Sequence, residues 1–317
     1  MLDKLGFLAS AGEPFLFFTD FQASKFHVYK LDELEENDIE FSFDENFTYK
    51  KHDLTLQKYP LSFSDYKEKF DQVIENIKAG NTYLFNLTAP TPITCRVPKG
   101  CKHSFHEIFS AANAPFKLRV KDEFVCFSPE RFITIEDDLI STFPMKGTID
   151  ASLANAKEIL LSDEKEMAEH VMIVDLLRND LGIVATNVHV EKFRYTEIIN
   201  AGEKKLLHVS SKISAKLSDD WRDNLSSILK KLLPAGSISG TPKKKTVELI
   251  QQIEKYERGY FSGVFGVFDG VNLQSAVMIR FIENQNGQLV YKSGGGITLD
   301  SDAQSEYNEL LDKIYIP

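Results

Sequence analysis

Residues 261–296, FSGVFGVFDGVNLQSAVMIRFIENQNGQLVYKSGGG, contain three successive apolar segments that are typical of β-strands. No helical segment separates them, and they read as an antiparallel run. Strand candidates elsewhere also occur in runs divided by helices, without a regular alternation of one strand and one helix. This pattern predicts an α+β fold and argues against a parallel nucleotide-binding sheet.

The same criteria place further elements along the chain. The segments PFLFFTDF, KFHVYKL, TYLFNLTAP, FVCFS, RFITIED and VHVEKFRY are predicted strands. Helices are predicted over residues 66–78, 154–161, 163–181, 222–233, 244–257 and 302–314. We find no internal repeat and no low-complexity linker, so we expect one folding unit. In it, N-terminal strands over 1–59 complete a catalytic region over 60–317.

Composition excludes several classes of partner. The net charge of -10 argues against a nucleic-acid or anionic-membrane surface, because both require a basic face. No apolar run approaches the length of a membrane span. The cysteines Cys95, Cys101 and Cys126 are odd in number and lack a CxxC spacing, which is typical of reduced thiols in a cytoplasmic protein without a zinc site.

The segment FPMKGTID, residues 143–150, places Lys146 at a predicted sharp turn. Pro144 fixes its own φ, and Gly147 permits φ values that other residues avoid. A lysine at such a bend is usually solvated, but it can also be aimed into a cleft as a nucleophile. These residues alone favour the ordinary interpretation.

The helix predicted over 163–181 raises a question about charge. Its apolar residues surround almost the whole axis, so we expect it to be buried. Asp175 and Arg178 have the spacing of a structural ion pair. Glu169 has no cation on its own face, and a buried carboxylate requires a cation, a metal or a proton.

A second acidic set lies near the C-terminus. Glu306, Glu309 and Lys313 share one face of the last predicted helix, and alone they would be read as a solvated ion-pair face. The glycines Gly294–Gly296 just upstream allow backbone amides to approach a carboxylate or phosphate closely. The loop GSISGTP, which contains Ser239, also offers amide donors at a helix start, but it lacks the Walker spacing.

In combination, these motifs resemble those of the chorismate-utilising enzymes, which include anthranilate, aminodeoxychorismate, isochorismate and salicylate synthases. The matching segments occur in the family's order from about residue 60 onward: GNTYLFNLT, SPERF, FPMKGTI, AEHVMIVDLLRNDLG, LLPAGSISGTPK, AVMIRF and SGGGITLDSDAQSEYNELLDKI. The resemblance implies an α+β, two-lobed sandwich of antiparallel sheets flanked by helices, with the active site between the lobes.

The resemblance also implies a set of site residues. Mg²⁺ would be held by Glu169 and Glu309 and would bind the ring carboxylate of chorismate, which would resolve the question of the buried carboxylate. Glu130 matches the general acid that protonates the departing C4 hydroxyl, and Arg280 matches the arginine that binds the enolpyruvyl carboxylate. The other matches to substrate-contacting positions are His208, Ser239, Gly294, Gly295, Gly296 and Lys313. For His208, a core histidine remains the alternative.

Two positions discriminate between members of the family. Leu84 stands where isochorismate and salicylate synthases have a lysine base, and Lys146 stands where anthranilate and isochorismate synthases usually have alanine. The P-x-K-G-T form resembles that of aminodeoxychorismate synthases, in which the lysine is thought to attack C2 before ammonia attacks C4. Val267 departs from the family's usual tyrosine.

These matches predict an aminodeoxychorismate synthase component I for p-aminobenzoate and folate synthesis. Because no glutamine-hydrolysing triad can be assembled from the sequence, we expect ammonia to come from a separate glutamine amidotransferase subunit, component II. Two alternatives stay open: an anthranilate synthase component I, and a catalytically silent chorismate-binding subunit.

Overall fold

The computed structural model describes residues 2–96, 104–201 and 204–317, so Cys101 lies outside the described residues. The chain forms two compact units, each assembled from three separate segments. The first unit comprises Met1–Glu33, Glu130–Ser237 and Val264–Val277. The second comprises Leu34–Pro129, Ile238–Gly263 and Met278–Pro317. The boundary between residues 59 and 60 stays a prediction.

Eight α-helices and seventeen β-strands occur in the described residues. The helices are α1 (Leu2–Ser10), α2 (Phe63–Lys78), α3 (Phe105–Ala111), α4 (Ala156–Ser162), α5 (Glu164–Val184), α6 (Trp221–Leu232), α7 (Lys243–Glu254) and α8 (Ala303–Asp312). The strands are β1 (Phe15–Thr19), β2 (Phe26–Lys30), β3 (Ile39–Phe43), β4 (Thr55–Lys58), β5 (Leu84–Arg96), β6 (Phe116–Val120), β7 (Phe124–Ser128), β8 (Arg131–Glu136), β9 (Leu139–Thr142), β10 (Met145–Asp150), β11 (Thr186–Ala201), β12 (Lys204–Lys216), β13 (Gly240–Thr241), β14 (Val264–Phe268), β15 (Leu273–Val277), β16 (Phe281–Gln285) and β17 (Gln288–Ile297). Among the described helices, none has the length and apolar character needed to cross a membrane.

The first unit is built on a nine-stranded sheet in the order β10-β12-β9-β8-β15-β14-β1-β2, with β11 also paired to β12. Every residue of β1 is buried, because both edges of this strand are paired and its sequence FLFFT is almost entirely apolar. Helix α5 packs against β10, β11 and β12. It therefore brings its side chains to the same end of the sheet as the predicted nucleophile in β10.

The second unit is built on an eight-stranded sheet in the order β13-β5-β17-β16-β7-β6-β3, with β4 also paired to β5. Strands β5 and β17 pair along Leu289–Ile297, which places the glycine run of β17 opposite Asn86–Thr88. Helix α8 packs against β17, and α2 packs against α8. The last helix and the glycine run, which are adjacent in sequence, are thus also adjacent in space.

Both sheets are antiparallel in every pair, which confirms the predicted α+β class with two antiparallel sheets flanked by helices. Of the three strands predicted within residues 261–296, the middle one, LQSAVMIRFIE, is wrong: its two halves are β15 in the first sheet and β16 in the second. The break between them includes Arg280, whose φ of 51° is left-handed and ends the extended conformation. Both halves are apolar, so the sequence pattern alone did not reveal the break.

The prediction that α5 is buried on all sides is also wrong. Val171 is 47% exposed and Ile183 is 56% exposed, so the outer face of the helix is partly open to solvent. Part of that face borders a groove of about 400 Å³ beside β11. The predicted ion pair is present, with 3.4 Å between Arg178 Nη1 and Asp175 Oδ1.

Candidate active site

Lys146 lies in an irregularity of β10. The pairing of β10 with β12 shifts register between Met145 and Thr148, so Lys146 and Gly147 leave the regular ladder. Gly147 has a φ of 86°, as its permissive backbone led us to expect, but the predicted sharp turn is wrong, because the segment is a strand with a bulge. A Cβ at Gly147 would stand 3.1 Å from Leu160 Cδ1, so the site also has little room for a larger residue.

The bulge directs Lys146 toward helix α5. Its Nζ lies 3.5 Å from Oε2 of Glu169, and the two side chains are 24% and 14% exposed. Glu169 therefore has a cation, supplied by a strand about twenty residues earlier in the sequence and not by its own helix. The predicted nucleophile and one predicted metal ligand are neighbours in the same unit.

A second carboxylate, Glu166, lies one turn before Glu169 on α5. Helix α5 begins after Asp163, whose carboxylate accepts the backbone N–H of Glu166 at 2.9 Å. A Cβ at Gly147 would stand 3.4 Å from Oε2 of Glu166. Both carboxylates thus lie close to the Lys146–Gly147 bulge.

His208 lies in β12, directly opposite Thr148 of β10 and Glu197 of β11. Its Nδ1 is 3.0 Å from the Thr148 hydroxyl, and the side chain is half-buried. A hydroxyl bound to Nδ1 fixes the ring and leaves Nε2 directed elsewhere. This geometry differs from that of a fully enclosed core histidine.

Glu130 and Val267 belong to the same unit. Glu130 immediately precedes β8, its carbonyl accepts the N–H of Val277 at 3.1 Å, and the residue is half-buried. Val267 is in β14, between Leu16 and Gln274, and carries no polar atom that could replace a tyrosine hydroxyl.

In the second unit, Glu309 and Lys313 form a close pair. Lys313 Nζ lies 2.5 Å from Oε1 of Glu309 and donates to the carbonyl of Gly294 at 2.9 Å. A Cβ at Gly295 would stand 3.3 Å from Oε1 of Glu309 and 3.4 Å from Oε2 of Glu306. The structure therefore gathers Gly294, Gly295 and both α8 carboxylates, as the sequence pattern suggested.

The negative charge of these carboxylates affects a buried phenol. Burial raises the pKa of Tyr66 above its usual range, and Glu306 and Glu309 raise it further. Glu306 is itself buried and accepts the hydroxyl of Ser301 at 2.7 Å. The two glutamates are thus held against β17 and α2 with their oxygens close together.

Ser239 and Gly296 lie on either side of β5 in the second unit. Ser239 is fully buried, and its carbonyl accepts the N–H of Asn86 at 3.0 Å. Gly296 pairs with the same residue, Asn86, from β17. Leu84, at the start of β5, is buried and carries no group that could act as a base.

Arg280 has an unsatisfied donor. Its guanidinium carbon lies 5.4 Å from the ring centroid of Tyr315, and its Nε is buried without a hydrogen-bond partner in the described residues. A buried N–H without a partner is unfavourable, and a bound carboxylate would satisfy it. Among the predicted substrate-binding residues, Arg280 therefore offers a buried donor suited to a carboxylate.

Each unit carries carboxylates of the kind that hard divalent cations bind. Glu166 and Glu169 in the first unit, and Glu306 and Glu309 in the second, offer only oxygen atoms. Within the described residues, no group of three or more His, Cys, Asp or Glu side chains forms a ready-made metal site. Mg²⁺ is usually held by one or two carboxylates, with substrate oxygens and waters completing its shell. The pairing of Glu169 with Glu309 stays a prediction.

Sequence reasoning missed two residues at this site. Glu166 precedes Glu169 by three positions, the same spacing as Glu306 and Glu309, and that repeated spacing could have revealed it. Thr148 had no comparable signal, because its contact with His208 depends on strand pairing.

Comparison with known proteins gives consistent matches. The family model described as "chorismate binding enzyme" matches residues 20–317. An "Uncharacterized PabA-like protein" of Haemophilus influenzae is 47% identical over 308 residues, which cover 96% of this chain and 92% of the relative. "Aminodeoxychorismate synthase component 1" of Escherichia coli is 34% identical over 266 residues, which cover 80% of this chain but only 57% of the relative. The menaquinone-specific isochorismate synthase of Escherichia coli has a similar fold, with a TM-score of 0.73 over 98% of this chain and 79% of that chain at 17% identity.

Proposed function

Because this chain belongs to the chorismate-binding enzyme family, we propose that it converts chorismate and ammonia to 4-amino-4-deoxychorismate. This reaction corresponds to the name of the Escherichia coli relative, aminodeoxychorismate synthase component 1. The product would serve p-aminobenzoate and folate synthesis. We further propose that the protein acts in the cytoplasm.

The observation that carries this proposal is the position of Lys146. A bulge takes its side chain out of the β10–β12 ladder and brings its amine to 3.5 Å from Glu169. A lysine that served only as a solvated surface residue would not need this backbone. An amine held on a strand in a partly buried site is instead positioned to attack an electron-poor carbon.

The proposed reaction has two displacements. The neutral Lys146 amine forms a bond to C2 of chorismate, the ring double bonds shift, and the C4–O bond breaks while Glu130 donates the proton that makes water the leaving group. Ammonia then bonds to C4, the double bonds shift back, and the C2–N bond breaks to release Lys146. Solvent returns the proton to Glu130. The sum is chorismate and ammonia giving aminodeoxychorismate and water.

Other residues would hold the substrate. Arg280, with its unpaired Nε, would bind the enolpyruvyl carboxylate, and the amides of Gly294–Gly296 with Ser239 would bind remaining oxygens. His208, oriented by Thr148, would direct Nε2 to the substrate hydroxyl. Lys313 would hold Glu309 and the carbonyl of Gly294 in place.

We propose that Glu169 and Glu309 hold Mg²⁺, with Glu166 and Glu306 next to them on their helices. When bound, the metal would anchor the ring carboxylate and stabilise negative charge on it. The oxygen-only donor set supports this assignment.

We also propose that the ammonia comes from a separate glutamine amidotransferase subunit. The wording "component 1" in the name of the Escherichia coli relative is consistent with a partner. The isolated chain should then use ammonium, most readily at alkaline pH where ammonia is abundant, and should not use glutamine.

The decisive experiment is incubation of the purified chain with chorismate and Mg²⁺, with and without ammonium. With ammonium, mass and ultraviolet spectra should identify aminodeoxychorismate. Without it, the peptide that contains Lys146 should carry a chorismate-derived mass adduct. Lys146→Ala should remove the adduct.

Lys212→Ala is the matched control. Lys212 is also half-buried in the first unit, and its Nζ lies 2.8 Å from Oε2 of Glu191. This variant should keep both the adduct and the product. Anthranilate as product would favour anthranilate synthase, binding without turnover would favour a silent subunit, and an adduct that persists in Lys146→Ala would place the nucleophile elsewhere.

A further inference from the structure

A buried hydrogen-bond cluster connects the elements that carry Lys146 and Glu169, and the proposed reaction assigns it no step. Its centre is Ser211 of β12, which is fully buried. The backbone N–H of Ser211 donates to the carbonyl of Pro144 at 3.0 Å, and its Oγ accepts the N–H of Arg194 at 2.9 Å. The same Oγ lies 2.7 Å from Nε2 of His170. We call these four residues the Ser211 junction.

The junction touches both sides of the Lys146–Glu169 pair. Pro144 precedes Lys146 by two residues, and His170 follows Glu169 by one. Because the strand pairing shifts between Met145 and Thr148, Lys146 has no regular ladder partner of its own. Its placement therefore depends on the pairing that flanks the bulge, and the bond from Ser211 to Pro144 belongs to the pairing just before it.

Arg194 connects the Ser211 junction to the bulge through a second set of contacts. Its buried guanidinium donates to the carbonyls of Leu160 and Leu161 at the end of α4. Leu160 Cδ1 would stand 3.1 Å from a Cβ at Gly147. Displacement of Arg194 would therefore also shift Leu160, the side chain that lies closest to Gly147.

His170 is an unusual choice of core residue if packing were its only role. Its side chain is fully buried, and its Nδ1 has no hydrogen-bond partner in the described residues. A leucine would fill the space without an unpaired polar atom. The distinctive contribution of the imidazole is thus its bond to Ser211.

We propose that the Ser211 junction is a positioning element that holds Lys146 at its attack position beside Glu169. This inference rests on the proposed amination, in which Lys146 is the nucleophile. None of the four residues needs to touch substrate. Displacement of a reacting group by about 1 Å costs on the order of 100-fold in rate, so a small shift at Pro144 or His170 would be measurable.

The test compares two buried serines on the same strand. Ser214 is also fully buried in β12, with its Oγ 2.9 Å from the Ser141 hydroxyl and donating to Oε2 of Glu191 at 2.9 Å. Ser214→Ala therefore removes the same group at the same burial, without touching Pro144 or His170. It controls for any general loss of stability in Ser211→Ala.

Two measurements distinguish positioning from stability alone. For ammonium-dependent amination, Ser211→Ala should lower kcat about 10- to 100-fold with KM within about threefold, and Ser214→Ala should change kcat by less than about twofold. The rate at which N-hydroxysuccinimide acetate acetylates Lys146, relative to Lys67 and read by peptide mass, should rise at least about threefold only in Ser211→Ala, because the Glu169 contact loosens.

A second pair of variants serves if Ser211→Ala does not fold. His170→Gln keeps an amide that can bond to Ser211 and should retain more activity than His170→Leu, whereas equal loss in both would overturn the proposal. Equal changes in Ser211→Ala and Ser214→Ala, or unchanged Lys146 acetylation, would also overturn it. The acetylation rate does not require turnover, so it decides the positioning question even if wild-type protein forms a different product and the proposed function fails.

Discussion

Lys146 and Lys313 each contact the second glutamate of an E-x-x-E pair, and a glycine lies next to each pair. In the second unit, Lys313 and Glu309 are four residues apart on consecutive helical turns, with 2.5 Å between Nζ and Oε1. In the first unit, Lys146 reaches Glu169 from a strand, with 3.5 Å between Nζ and Oε2. The contact between Lys146 and Glu169 exists only because β10 and α5 pack together.

The two lysines also differ in how firmly they are held. Lys313 also donates to the carbonyl of Gly294, and its partner Glu309 is 51% exposed. Lys146 has a longer contact, and its partner Glu169 is only 14% exposed. A lysine tied to a backbone carbonyl is suited to hold structure, whereas a loosely paired amine in a partly desolvated site is suited to chemistry. The comparison teaches that similar charge pairs can serve different purposes.

The largest expected effect would come from the glutamates, which the comparison treats as equivalent. Glu169→Gln and Glu309→Gln should each lower amination on the order of 1,000-fold, because each removes a charged ligand of the proposed Mg²⁺. EDTA should abolish activity, and added Mg²⁺ should restore it. Glu191→Gln, which alters an ion pair elsewhere in the first unit, is the control. Full activity in chelator would rule out the metal site.

Substitutions of the two lysines should affect different kinetic parameters, whereas substitutions of the two glutamates should have the same effect. Lys146→Ala should lower kcat on the order of 1,000-fold, except for turnover by ammonia that reaches the substrate through the vacated space. Lys313→Ala should raise the KM for chorismate about tenfold while kcat stays within about threefold. Steady-state kinetics at saturating ammonium measure both. If Lys313→Ala also acted mainly on kcat, the proposed division of roles would be wrong.

The two glycines should differ in what an added methyl group disturbs. Gly147→Ala forces a residue with a side chain into a φ of 86° and should lower the free energy of unfolding by about 1–2 kcal/mol. Gly295→Ala carries no such backbone strain, but its Cβ would stand 3.3 Å from Oε1 of Glu309, so binding of chorismate with Mg²⁺ should weaken about tenfold. Thermal unfolding and calorimetric titration measure the two effects.

Gly182→Ala on α5 provides the control for both glycine variants. A Cβ there meets nothing within 4 Å, so neither stability nor binding should fall. A binding defect in this variant would show that the assay responds to helix changes in general.

The last expected effect appears only when the pH is changed, and it concerns the residues that pack behind each lysine–glutamate pair. Helix α8 is fastened to β17 by the Ser293 hydroxyl, which donates to the carbonyl of Leu310 at 3.0 Å and does not titrate. Behind Glu169 lies His170, whose pKa is lowered to about 4 chiefly by burial. Between pH 6.5 and 4 the unfolded chain binds a proton at this histidine and the folded protein does not, so stability falls as pH falls.

This pH dependence can be isolated by a difference measurement. From pH 7 to pH 4, wild-type protein in EDTA should lose roughly 2–3 kcal/mol more free energy of unfolding than His170→Gln. Glu166, Glu169, Arg194 and Lys146 are present in both proteins, so their common contributions cancel to first order. Parallel denaturant titrations at several pH values measure the difference, and identical pH profiles would contradict it.

Local patterns in the sequence predicted much of the second unit's site. Gly294–Gly296 and the Glu309–Lys313 pair are close in sequence, and helical spacing alone indicated their common face. The contacts in the first unit were harder to predict from the sequence. Those of Lys146 with Glu169 and of Thr148 with His208 depend on strand register and helix packing. Motif resemblance supplied what spacing could not. The left-handed φ of 51° at Arg280 was equally unpredictable, because no feature of the neighbouring sequence indicates it.

The passage of the chain from one sheet to the other at Met278–Arg280 bears on how the protein is synthesised. Strand β1 pairs with β14, which leaves the ribosome only after most of the chain, and β5 pairs with β17 later still. Neither sheet can close while the first two-thirds of the chain alone has emerged. Such high contact order slows folding and leaves the apolar edges of β1 and β5 without their partners during translation. We therefore expect chaperones that bind extended apolar segments to bind the nascent chain.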